Sequence, residues 1–286
     1  MVLYRLKVGV LIDFFNKYKI ATLAEWVIPG LIILGLVVLW EVCVRTMSIP
    51  AWQLPPPSSI ILELVVSIDL LWEHTIVTVL EIAIGFAISL LVGLVLSAGI
   101  AYSSLLQRSI YPIVISSQTV PIIAIAPLLL IWVGYGLAPK VIIVAIICFY
   151  PIVVNTVDGL KAIDPDMVNM MRALGATKFE VFRKLQIPTA LPFIFSGIKI
   201  SISVSVIAAV IGEWVGASEG LGYLIIYSQP LFLTSRVFAA ILILAVLGVS
   251  LFVIAVLLER LSMPWYFNEK RASTIRKLYI LKVVNI

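Results

Sequence analysis

Long, uninterrupted apolar stretches separated by short polar segments dominate the chain. Stretches long enough to cross a membrane occur at about 26–44, 75–101, 110–133, 139–158, 193–216 and 236–258. Apolar and polar positions do not alternate within them, which favours helices over the strands of a transmembrane barrel. The pattern predicts an all-α polytopic membrane protein with about six transmembrane helices. The glycines and proline between residues 134 and 139 predict a tight turn between the third and fourth helices.

Composition supports a membrane protein and excludes several kinds of site. Of the 286 residues, 62% are hydrophobic and 12% charged, whereas a soluble domain averages about 25% charged residues. One histidine and two cysteines provide neither a disulfide framework nor a metal cage of His and Cys ligands. The sequence contains no Gly-x-x-x-x-Gly-Lys-Ser/Thr loop, so any ATP used by this protein is bound by another chain.

The distribution of lysine and arginine predicts the orientation. With both termini in the cytoplasm, the outer side holds only Arg45, Lys140 and Arg236, and the reverse topology would place nearly all positive charge outside. The net charge of +5 therefore reflects insertion rather than binding to nucleic acid. We expect a cytoplasmic amphipathic segment at 1–25, a transmembrane domain at 26–258 and a basic cytoplasmic tail at 259–286, in a multi-pass protein of a prokaryotic inner membrane.

The longest cytoplasmic loop between two spans, residues 159–192, is strongly patterned. Asp164 and Pro165 predict a helix start, and Gly175 predicts the end of that short helix. Thr177 and Glu180 form a capping-box pattern for a second short helix, which we expect to end at Ile187-Pro188. Two capped amphipathic helices around an apolar corner indicate an interaction knob. The alternative is a surface loop lying against lipid headgroups.

This loop resembles the "EAA" loop of permease subunits of binding-protein-dependent ABC importers. The family pattern is Glu-Ala-Ala, three residues, Gly, nine residues and then Ile-x-Leu-Pro. Gly175 matches the glycine and residues 185–188 match the end. Asn169-Met170-Met171 stands where the family has Glu-Ala-Ala, so no salt bridge is expected from that position.

Further motifs resemble the nitrate, sulfonate, taurine and bicarbonate branch of the same family. They are Leu54-Pro55-Pro56-Pro57, Gly85-Phe86, Pro121 through Gly134, Gly197-Ile198-Lys199, Gly212-Glu213-Trp214, Gly220-Leu221-Gly222, and Glu259-Arg260 followed by Pro264-Trp265. The resemblance implies a fold of the type I importer permease and a second permease chain, expected to be a copy of this one. It also implies separate ATPase subunits, which carry ATP and Mg, and an external binding protein.

The resemblance implies a transport subunit that is not itself an enzyme and that binds no cofactor. A motor in a separate chain must transmit force, so we expect the corner of the knob and the end of the loop to contact the ATPase. These residues are Arg172, Ala173, Leu174, Gly175, Ala176, Thr177, Leu185 and Pro188.

Polar groups inside the spans are candidates for the translocation path, because each costs free energy in the bilayer. The candidates are Glu81, Gln118, Lys199, Ser201, Ser205 and Glu213. Lys199 would lend positive potential to an anion, or would extend its ammonium towards the inner headgroups. The serines would line the path, or would bond their own helix and allow close helix packing.

The branch implies import of a nitrate-, sulfonate/taurine- or bicarbonate-like anion, and some of its members carry organic precursors such as a thiamine pyrimidine or riboflavin. An ion-coupled secondary transporter is the alternative from another class. That alternative predicts internal repeats and carboxylates near mid-depth, whereas the acidic residues here cluster towards the span ends. A membrane enzyme is disfavoured by the lack of a nucleophile–base pair.

Overall fold

The computed structural model describes residues 27–266, and within that range the chain is built from helices without a β-strand. The predicted segment 1–25 and the tail beyond residue 266 lie outside the described residues. The helices, in chain order, are α1 (Val27–Thr46), α2 (Pro57–Val66), α3 (Ile68–Tyr102), α4 (Ser104–Ser117), α5 (Ile122–Val133), α6 (Leu137–Lys161), α7 (Pro165–Ala173), α8 (Lys178–Val181), α9 (Ile187–Trp214), α10 (Leu221–Ser228) and α11 (Thr234–Ser262).

Five of the described helices are long and apolar enough to cross a membrane, and a bent pair brings the number to six. This agrees with the predicted all-α polytopic fold. The third predicted span is not straight, because α4 and α5 meet at an angle of 101°. Pro121 immediately precedes α5, and a proline disfavours helical geometry in the residue before it, so the helix breaks there.

Helix α6 lies at the centre of the bundle and packs most extensively against α9 and α3. Small residues permit this packing. A Cβ at Gly85 would lie 2.6 Å from Cβ of Val144, and one at Gly197 would lie 2.7 Å from the carbonyl oxygen of Pro151. At both glycines, therefore, only the absence of a side chain lets the neighbouring helix approach this closely.

The loops of the described chain gather at two ends of the bundle. One end gathers Tyr102, Lys161 and the loop that contains α7 and α8, with its many lysines and arginines. The other end gathers the loops around residues 47–56, 134–136 and 215–233. We call these the cytoplasmic and outer ends, following the positive-inside rule.

The predicted break between the knob and the fifth span is absent. We expected the second short helix to end at Ile187-Pro188, but the backbone stays helical from Lys178 to Trp214. Pro188 is the second residue of α9. A π-helical segment, Phe182–Gln186, connects α8 to α9 without a break, so α8 and the fifth span form one continuous helix.

Candidate functional site

The cytoplasmic knob, which we define as residues 164–181, is built as its sequence predicted. The Asp164 carboxylate accepts a hydrogen bond from the amide of Asp166 at 2.9 Å and caps α7. Gly175 ends that helix with a φ of +85°, the left-handed conformation that glycine adopts most easily. Both bonds of the predicted capping box are present, because the Glu180 amide donates to Thr177 and the Thr177 amide donates to Glu180.

The caps hold an apolar corner outside the bundle. Leu174 is 81% exposed and Phe179 is 67% exposed, although both side chains would be more stable away from water. Arg172, Ala173, Gly175 and Thr177 are also exposed, whereas Ala176, Leu185 and Pro188 are partly buried. The geometry offers a partner a compact apolar surface with a rigid backbone. The assignment of these residues to the ATPase contact stays a prediction.

A polar cluster with two buried carboxylates lies at the outer end. Glu81 and Glu213 are 0% and 1% exposed. The ammonium of Lys140 lies 2.5 Å from Oε1 of Glu81 and also donates to the carbonyl oxygen of Glu219 at 3.4 Å. Thr78 donates its hydroxyl to Glu213 at 2.6 Å. Pairing of this kind is what allows charges to be buried inside a membrane protein.

The same cluster holds the start of α10. The amide of Gly220 donates to Nδ1 of His74, and the amide of Leu221 donates to Oγ1 of Thr78, both at 2.9 Å. The amide of Gly222 donates to the carboxylate of Glu213. Three successive backbone donors that α10 itself cannot satisfy are thus bound by side chains of α3 and α9.

The six predicted path residues do not form one lining. Glu81, Glu213, Ser201 and Ser205 are buried inside the chain. Ser201 donates its hydroxyl to the carbonyl oxygen of Cys148 on α6 at 2.7 Å, and Ser205 bonds its own helix at 2.8 Å. These contacts match the alternative role of serines in helix packing. In this conformation the four side chains face the chain interior, and their role in a path stays a prediction.

The other two predicted path residues are more accessible. Gln118 is exposed at the bend between α4 and α5. Lys199 borders a groove of about 320 Å³ between α9 and α11. Its ammonium is bound to the carboxylate of Glu259 at 2.8 Å, rather than extending freely towards the headgroups.

Sequence reasoning missed the partners of the buried carboxylates. Lys140 was assigned to the outer end of a span, yet its side chain points inward to Glu81. His74, Thr78 and Glu81 follow the i, i+4, i+7 spacing of one helix face. That spacing predicts that the three side chains share one polar face of α3. The sequence does not show which helices pack against that face.

Residues 89–262 match the family described as binding-protein-dependent transport system inner membrane component. The formylaminopyrimidine transport permease protein ThiX of Halalkalibacterium halodurans is 37% identical over 83% of this chain and 95% of that protein. The riboflavin transport system permease protein RibX of Chloroflexus aurantiacus is 35% identical over 84% of this chain and 91% of that protein.

A sulfonate relative and a solved structure complete the comparison. The putative aliphatic sulfonates transport permease protein SsuC of Bacillus subtilis is 30% identical over 80% of this chain and 84% of that protein. A chain of the inward-facing MetNI methionine ABC transporter superimposes with a TM-score of 0.54 at 23% identity, over 69% of this chain and 96% of that chain. The fold is therefore that of an ABC importer permease, and the chain belongs to the family of binding-protein-dependent transport system inner membrane components.

Proposed function

We propose that the chain is the permease subunit of an ATP-driven importer, that it binds a separate ATPase through the knob, and that an external binding protein delivers its solute. A second permease chain, a copy of this one, completes the path. The observation that carries the proposal is the exposed apolar corner at Leu174 and Phe179, held between two capped helices at the cytoplasmic end. A linker between spans needs neither the caps nor the apolar corner.

Purification of the tagged chain from its native membrane in mild detergent tests this proposal. We expect an ATPase to accompany the wild-type chain in about a one-to-one ratio. Leu174→Asp and Gly175→Asp should insert normally but lose the ATPase, because a charge at the corner would have to be desolvated on docking. Leu105→Asp is the matched control, since Leu105 is 74% exposed at the cytoplasmic end but lies outside the knob.

Loss of the ATPase in both knob variants but not in the control would support the proposal. Transport that survives ATP depletion and stops when the proton gradient collapses would replace it with an ion-coupled secondary transporter. Retention of the ATPase by both knob variants would remove the knob assignment.

For the solute, we propose a small anion of the nitrate, sulfonate/taurine or bicarbonate type as the first candidate, as the sequence motifs imply. The second candidate, an organic precursor such as a pyrimidine or riboflavin, is favoured by a specific observation. Four cations, Lys199 within a span and three at the outer end, are each bound to a carboxylate: Arg45 to Glu41, Lys140 to Glu81, Lys199 to Glu259 and Arg236 to Glu63. Paired cations attract a free anion weakly.

Uptake competition in cells that express the complete importer distinguishes the two candidates. An anion is supported if taurine, sulfonates or nitrate inhibit uptake by the wild-type importer and no longer inhibit uptake by Lys199→Gln. An organic precursor is supported if formylaminopyrimidine or riboflavin inhibits uptake, and if Lys199→Gln is inhibited by the same compounds as the wild type.

A further inference from the structure

A π-helical turn joins the knob to the span that follows it. It covers Phe182–Gln186, and the amide of Ile187 donates to the carbonyl oxygen of Phe182, five residues earlier. An α-helix would connect residues four apart. A π turn within a longer helix is rare and occurs frequently at functional sites. Here it lies between the knob and α9.

Pro188 lies just after this turn and is one reason for a wider turn at this place. In α geometry its ring would press on the carbonyl of Lys184, and a π turn is one way to relieve that contact. The proline does not determine how the knob is rotated relative to α9.

Tyr102 contacts both ends of this turn from a different helix. It is the last residue of α3, and its ring lies edge-on to Phe182 with centroids 5.5 Å apart. Its hydroxyl donates to Oε1 of Gln186. Phe182 and Gln186 are the first and last residues of the π turn, so one side chain spans the whole turn and links it to α3.

We infer that Tyr102 is a positioning residue that holds the π turn in one register, so that movement of the knob is passed to α9 rather than absorbed by the turn. This inference rests on the proposed function. A π turn holds one residue more than an α turn, and its loss or migration shifts one side of the helix by about 1.5 Å and about 100° relative to the other. After a shift of that size, movement of the knob would no longer be passed to α9, although the knob and the span would each stay folded.

Reconstitution of the complete importer in proteoliposomes, with solute uptake measured per ATP hydrolysed, tests the inference. Tyr102→Phe keeps the ring contact and removes the hydroxyl, Gln186→Leu removes the acceptor, and Tyr102→Leu removes both contacts. We expect Tyr102→Leu to keep the ATPase bound and to lower uptake per ATP about fivefold, the change expected when a contact worth one aromatic pair is lost. Tyr135→Leu is the matched control, because Tyr135 is 81% exposed at the outer end.

The double variant Tyr102→Phe with Gln186→Leu separates positioning from general destabilisation. If the hydroxyl acts through Gln186, the double variant loses no more uptake per ATP than either single variant, since both remove the same bond. Additive losses, or wild-type uptake per ATP in Tyr102→Leu with the ATPase bound, would overturn the inference and leave the proposed function intact. A wild-type preparation without an ATPase would overturn the proposed function, and this inference with it.

Discussion

Lys199 and Glu259 form a salt bridge between α9 and α11 in the cytoplasmic half of the bundle. The ammonium lies 2.9 and 2.8 Å from the two carboxylate oxygens. The lysine side chain is 24% exposed and the glutamate side chain is 9% exposed, so water screens the pair only partly. The bridge links α9, which continues from α8 of the knob, to the last span, α11. It neutralises the charge of Lys199, the one lysine among the predicted path residues.

Removal of one partner of this bridge should destabilise the chain more than exchange of the two. Lys199→Met leaves the Glu259 carboxylate largely buried and unpaired, and we expect a loss of about 2 kcal/mol. The reciprocal exchange, Lys199→Glu with Glu259→Lys, should recover most of that loss. Thermal unfolding of the purified chain in detergent measures both effects. An unchanged melting temperature in Lys199→Met would contradict the structural role of the bridge.

The Glu81–Lys140 pair at the outer end is buried more deeply. Lys140→Met should cost about 3–5 kcal/mol, because it leaves an unpaired carboxylate in an apolar surrounding. The double variant Lys140→Met with Glu81→Leu should lose less than Lys140→Met alone, since the Glu81 carboxylate is removed together with its partner. Unfolding of the three proteins under the same conditions checks the order. A double variant less stable than Lys140→Met would show that the pair stabilises by more than mutual neutralisation.

Gly220 should tolerate no side chain. A Cβ at this position would lie 2.2 Å from Cδ of Glu213, and its φ is +115°, a conformation that other residues rarely adopt. Gly220→Ala should therefore displace the start of α10 and lower the yield of folded protein. Gly248→Ala is the matched control, because its nearest neighbour is 3.6 Å away in the middle of a span. The control should be neutral or stabilising by about 0.5–1 kcal/mol, as measured by the melting temperature.

Glu63 at the outer end should make stability depend on acid. Partial burial raises the pKa of this carboxyl, but hydrogen bonds from Ser67 and Arg236 outweigh burial and hold the pKa below its ordinary value. A depressed pKa stabilises the fold above the unfolded value and loses this contribution as the pH falls through the folded value.

Glu63→Gln should therefore lower the melting temperature at pH 7, and the difference from wild type should shrink below about pH 4. Thermal scans of both proteins across that range provide the measurement. A constant difference at all pH values would contradict the linkage.

Much of the fold could be predicted from the sequence, and the knob was predicted most completely. The caps at Asp164 and Thr177 and the stop at Gly175 depend on neighbours within a few residues, and the structure confirms all three. The prediction that the second short helix ends at Ile187-Pro188 was wrong, because the helix continues through Pro188. Whether a proline near the start of a helix breaks that helix depends on the geometry of the preceding turn. The sequence does not show that the turn before Pro188 is a π turn.

Hydrophobic length and capping act over short stretches of chain, so the amino-acid sequence was enough to predict the helical class, the approximate positions of the spans and the exposed knob. The pairing of charges became visible in the folded chain alone. Lys140 and Glu81 are separated by 59 residues, and Lys199 and Glu259 by 60, so their pairing depends on which helices pack together. Helix packing also encloses the carboxylates of Glu81 and Glu213, since a charge inside a membrane protein is stable where packing supplies a partner.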